Sequence, residues 1–163
     1  MTTPAPGSTP APAEAPRPTL SSLEVGQVVL TEQVPVSRAS LVKYAGASGD
    51  FNHIHWNERF AKEVGLPNVI AHGMLTMGSV AGRITDWTGD PGSVVDLRTR
   101  FTAPVVVPDA ESGAPDRPTA FLDLTATVQK IDAEAGTATL AVEVTVDGEK
   151  VLGRTQAVVR LGA

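Results

Sequence analysis

An α+β domain is predicted, on three observations. Gly73 to Trp87 carries Met74, Leu75, Met77, Val80, Ala81, Ile84 and Trp87 around most of a helical wheel, and a helix with so little polar surface needs partners on nearly every side. From Ser93 onward the apolar residues switch to a period of two, the spacing of strands with one face turned inward. Asp147-Gly148 lies between two such runs, a strong two-residue hairpin signal that makes those strands antiparallel. The arrangement that satisfies all three is an antiparallel sheet curved around one apolar helix, since only the sheet is large enough to cover it.

The elements follow in chain order. Residues 1 to about 20, MTTPAPGSTPAPAEAPRPTL, are mostly Pro, Ala, Thr and Ser. They offer little to bury and their prolines obstruct helix and central strand, so a disordered or polyproline-like tail is expected. The rest of the 163-residue chain, 21–163, suits one domain better than two. Ordered structure is expected from near Leu23, with a first strand in the β-branched clusters between Val25 and Val36. Ser37 is placed to cap a helix bearing Leu41, Val42 and Ala45 at helical spacing, and Gly46 and Gly49 bracket the break before Asp50. Asn57 caps a second short helix running to about Val64, ended by Gly65 and Pro67.

After the long helix, Val95, Leu97, Thr99 and Phe101 share one strand face, with Asp96, Arg98 and Arg100 on the other. Leu122, Leu124, Ala126 and Val128 repeat the alternation, as do Leu140, Val142, Val144 and Val146, and a last strand covers Val151 to Val159. Pro104, Pro108, Pro115 and Pro118 interrupt this series, so Asp109 to Pro118 reads as an exposed loop.

Composition narrows the function classes. The net charge of −5 gives no reason to approach nucleic acid or an anionic membrane, both of which favour a basic surface. Without cysteine there is no disulfide framework, thiolate metal site or thiol nucleophile. No run approaches the roughly twenty apolar residues that span a bilayer. The N-terminus has neither the basic start nor the apolar stretch of a signal peptide, and a cytoplasmic location is expected.

Asp50, Asn52 and His55 fall within six residues on a loop, where functional side chains concentrate. An imidazole accepts and donates protons near neutral pH, so His55 suits a general base in one direction and an acid in the other, with Asp50 as its complement and Asn52 in support. The same residue types also fit a pair of Asx turns and a hydrogen-bonded surface histidine. A second feature is Ala71-His72-Gly73-Met74-Leu75, running directly into the apolar helix. The first amides of a helix have no intrahelical partner, and at Gly73 no side chain blocks a ligand carbonyl from reaching them. A thioester enolate needs such a donor, although Gly73 equally permits close packing, with His72 as a structural histidine. His53-x-His55 with Asp50 also has the residue types of a zinc or iron site.

The motif GDFNHIH, with Ala61 six positions after His55, followed by IAHGML, resembles the signature of the MaoC-like, (R)-specific enoyl thioester hydratases. More narrowly, LVKYAGASGDFNHIHWN through AHGMLTMG, WTGDPG and RTRFTAPV is similar to the catalytic B-type subunits of actinobacterial (3R)-hydroxyacyl-ACP dehydratases. The likeness spans roughly residues 23 to 161 and is strongest between 41 and 104. It implies a hot-dog fold and an Asp50/His55 catalytic dyad supported by Asn52, with the Gly73 amide on the thioester carbonyl and His72 as a neighbour. It implies reversible dehydration of (3R)-3-hydroxyacyl thioesters of CoA or acyl carrier protein to trans-2-enoyl thioesters in fatty acid synthesis, without a metal or cofactor. It also implies paired hot-dog units, as a homodimer or with a related subunit. His53 stands where many members carry proline, and Ala81 where some carry a polar group, so no catalytic serine is assigned and Ser79 is only a neighbour. A hot-dog thioesterase and a non-catalytic acyl-binding subunit are the competing readings.

Overall fold

The computed structural model describes residues 17–111 and 113–162. Most of the expected tail, residues 1–16, lies outside the described residues. Its last part packs onto the domain, where the Leu20 N–H donates to the Gly162 carbonyl at 3.0 Å.

The first strand, β1, covers Val28–Val36 and turns Leu30, Val34 and Val36 inward. It starts three residues later than Val25 because Gly26 takes a left-handed φ of +90° in the preceding turn, leaving Val25 exposed. Ser37 then caps α1, Arg38–Ser48: its hydroxyl accepts the Ser40 N–H, and Ser40 returns a bond to the Ser37 backbone. Leu41 and Ala45, one helical turn apart, face the core, while Val42 points outward. Gly49, at φ +74°, ends the helix.

A 3-10 turn over His53–His55 leads to α2, Glu58–Glu63, capped by the Asn57 side chain. The long helix, α3, runs Gly73–Thr88 and ends at the left-handed Gly89. Within this chain it is fully buried only along Thr76, Val80, Ile84 and Thr88. The expectation of burial all round is therefore not met: the sheet covers one stripe, leaving Met74 exposed and Leu75, Met77 and Trp87 half-buried.

Strands β2 (Val94–Phe101), β3 (Ala120–Asp132), β4 (Thr137–Val146) and β5 (Glu149–Arg160) complete a fully antiparallel sheet in the order β1-β3-β4-β5-β2. The β4–β5 turn is the expected hairpin, with Asp147 at φ 50° and Gly148 at 81°. The inward residues of β3 and β4 follow the predicted alternation, Leu122, Leu124, Leu140 and Val144 being essentially inaccessible. Strand β2 does not: irregularities at Val94/Asp96 and Arg98/Arg100 break its period of two and leave Val95 and Phe101 exposed. The core lies between the sheet and Leu41, Val80 and Ile84 of the helices. Among the described residues no helix is long and apolar enough to cross a membrane.

One further pairing positions the site. Ile70 bridges Val106, the Ala71 N–H donates to Val105 O at 2.8 Å, and the Val107 N–H donates to Val69 O at 2.9 Å. The segment before α3 is thereby fixed to the segment after β2.

Candidate active site

The chain leaves α1 through Gly49 into a loop stapled by its own polar side chains. The Asp50 N–H donates to Ser48 Oγ at 3.2 Å, Asp50 Oδ1 accepts the Asn52 N–H at 3.2 Å, and Asn52 Oδ1 accepts the Ile54 N–H at 3.2 Å. Asp50 and Asn52 do close Asx turns, as one reading of the sequence had it. His55 is not the surface histidine of that reading: only 8% of it is exposed. Its Nδ1 lies 2.8 Å from the Ile70 carbonyl. A carbonyl only accepts, so Nδ1 carries the proton and Nε2 of the neutral ring is left as a base. Ile70 is itself held by its N–H bond to Ile54 O, at 3.1 Å, and by the bridge to Val106.

His72, 2% exposed, lies against both. Its ring stacks on His55, with centroids 3.6 Å apart and planes inclined by 23°, and its Nε2 donates to the Asp50 main-chain carbonyl at 3.1 Å. The ligating atoms of Asp50, His55 and His72 lie within 4.8 Å of one another. His53 is not among them: it packs edge-on against Trp56 and Phe60, with centroids 4.7 and 5.2 Å away. The His53-x-His55 set is therefore not assembled, because the tight turn sends the two rings to different sides.

These groups line a cleft of about 640 Å³ that also holds Gly73. The first intrahelical bond of α3 runs from the Thr76 N–H to His72 O, at 3.2 Å, so the Gly73 amide precedes the hydrogen-bonded helix at the positive end of its dipole. The Phe101 ring lies on the glycine, and a Cβ at this position would stand 2.9 Å from it. A side chain here would have to displace that ring, which is itself half exposed.

Burial pushes the His55 imidazole below its ordinary titration range; the Ile70 carbonyl opposes this, the neighbouring His72 reinforces it, and Asp50 opposes it. The neutral base is thus the favoured form. The cleft brings together Asp50, His55, His72 and Gly73, all singled out from the sequence, while Asn52 stands outside its lining, in the turns of the loop. Missed were Tyr44, whose ring tilts against His72 at 4.9 Å, and Ser48, both lining the cleft. Their spacing of four on the helix leading to Asp50 places them on one face. The Ile70 carbonyl leaves no trace in side-chain chemistry.

Known proteins match over the same region. The model of the MaoC like domain matches residues 21–113, more than half of the chain. An (R)-specific enoyl-CoA hydratase from Rhodospirillum rubrum is 31% identical over 117 residues, 70% of this chain and 76% of that protein. The 3-hydroxyacyl-thioester dehydratase X of Mycobacterium tuberculosis is 40% identical over 73 residues, 45% of this chain but 25% of that protein. A solved MaoC-like dehydratase superposes with a TM-score of 0.81 at 35% identity, over 99% of this chain and 49% of that one. The chain thus spans a quarter of the second relative and about half of the solved chain. With the loop and the glycine-led helix inside the matched residues 21–113, and the hot-dog sheet covered by the superposition on a MaoC-like dehydratase, the chain belongs to the MaoC-like domain family.

Proposed function

We propose that the chain catalyses the reversible dehydration of (3R)-3-hydroxyacyl thioesters, of CoA or acyl carrier protein, to trans-2-enoyl thioesters in fatty acid synthesis. The observation that carries this reading is the grouping in one cleft of the Asp50 carboxylate, a neutral buried His55 and the Gly73 amide at the start of α3. In dehydration the pair takes a proton from Cα and hands it on to the 3-hydroxyl, which departs as water, so both groups end in the forms in which they began. Asp50 and His55 Nε2 carry these two transfers between them. The Gly73 N–H and the helix dipole take the negative charge that builds on the thioester oxygen. Asn52 acts through the loop, by holding the turn that carries His55. Hydration is the reverse. The names of the relatives, an enoyl-CoA hydratase and a hydroxyacyl-thioester dehydratase, support the substrate class.

The test is steady-state hydration of crotonyl-CoA. Loss of enoyl absorbance without release of free thiol is expected, and thiol release would make the protein a thioesterase instead. Asp50→Asn and His55→Ala are each expected to lower kcat by about 10²- to 10⁴-fold. If neither changed the rate of the assembled protein, the chain would be an acyl-binding subunit.

We further propose that the active species pairs this chain with a second hot-dog unit, a copy or a related subunit. The exposed Met74, Val95 and Phe101 and the two open sheet edges support pairing. Mass measurement of the active fraction, alone and after co-expression with a candidate partner, tests this; an active monomer would overturn it.

A further inference from the structure

His72 is the most buried titratable side chain of the cleft, and the proposed reaction gives it no proton to carry. Three interactions radiate from it. Its ring lies flat on His55 at 3.6 Å, its Nε2–H reaches the Asp50 carbonyl at 3.1 Å, and its own carbonyl accepts the Thr76 N–H that starts α3 immediately after the Gly73 amide. Its remaining ring nitrogen, Nδ1, is buried without a hydrogen-bond partner. A buried polar atom left unpaired costs about 1–3 kcal/mol, which a phenylalanine or leucine filling the same space would avoid. Space-filling therefore does not account for histidine here, whereas a donor edge combined with a flat aromatic face does.

We propose that His72 is a positioning residue that holds Asp50 by its loop carbonyl and His55 by its ring face, keeping both in register with the Gly73 amide. This rests on the dehydratase reading of the cleft. The titratable side chains lining the cleft are Tyr44, Asp50, His55 and His72. Asp50 and His72 face His55, and Tyr44 faces His72 from α1. The stack shields one face of His55 from water and sets a second imidazole against it, and both effects oppose a proton on His55.

Two substitutions divide the two contacts. His72→Phe keeps an aromatic face and deletes the donor to Asp50; His72→Gln keeps an N–H near the position of Nε2 and deletes the ring. With crotonyl-CoA as substrate, His72→Phe is expected to lower kcat on the order of 100-fold with KM little changed. His72→Gln is expected to move the acid limb of the kcat/KM profile to higher pH. If both folded variants retained wild-type kcat and an unshifted limb, His72 would be a space-filler and the proposal would fall. Wild-type protein supplies a check that does not depend on the variants folding. The chain has three histidines, so long-range ¹H–¹⁵N correlation spectra assign the proton of each ring. Protonation of His72 on Nε2 and of His55 on Nδ1 is expected. Absence of crotonyl-CoA turnover by wild-type protein would overturn the functional reading and this inference with it. Turnover with His72 protonated on Nδ1 would overturn this inference alone.

Discussion

Burial makes it unfavourable for His55 to carry a proton, and the stacked His72 adds to that, while the Ile70 carbonyl and Asp50 only partly compensate. A histidine whose folded form prefers neutrality lends stability that is fully present above its unfolded value, about pH 6.5, and is lost as pH falls through the lower folded value. The same shift places the acid limb of kcat/KM below the ordinary imidazole range, so crotonyl-CoA hydration measured from pH 4.5 to 8 should stay near its plateau at about pH 6.5. A limb at or above that value would show that His55 is not the base. Unfolding midpoints in denaturant should also fall more steeply on acidification for the wild type than for His55→Gln. At this scale the sequence was informative about identities and silent about partners. Asp50, Asn52, His55, His72 and Gly73 are visible as residue types at telling spacings. That His55 is anchored by the main chain of Ile70, and that His53 turns away toward Trp56, depends on backbone geometry that no side chain announces.

Helix α3 shows what packing adds to a periodicity. Its apolar residues encircle the wheel, yet only the stripe from Thr76 to Thr88 is fully covered, because one curved sheet reaches one side. Ile84, wholly buried in that stripe, is the residue whose truncation should cost most on the helix: Ile84→Ala is expected to lower stability by about 2–5 kcal/mol, read as a shift in the denaturant midpoint at constant slope. Met74→Ala, at an exposed position of the same helix, should change the stability of the isolated chain by no more than roughly 0.5 kcal/mol. The helix ends were legible because capping is local chemistry: Ser37, Asn57 and Gly49 occupy the cap positions expected of them. Strand β2 was less so. Its irregularities arise from pairing with β5, a partner more than fifty residues away in sequence, and local alternation carries no record of them.

Over the whole molecule, the class of fold followed from the switch between helical and period-two patterning, while the strand order did not. Strands β3, β4 and β5 form a simple meander, but the part of the chain before residue 109 supplies both outer strands, β1 on one side and β2 on the other. That arrangement reflects the competition of all strands for the same sheet. The residues proposed to do the chemistry, from Asp50 to Gly73, all belong to this first part, and the meander contributes only apolar lining through Val151 and Leu152. The junction between the two parts is the loop between Asp109 and Pro118, most of whose described residues are exposed, tethered where the Ala39 N–H meets the Pro115 carbonyl. The protein is thus built like a clasp, with one piece gripping the other along two separate seams. A protease that cuts only in this loop should leave a nicked but intact particle that keeps its turnover, and the two pieces, expressed apart and mixed, should find each other again.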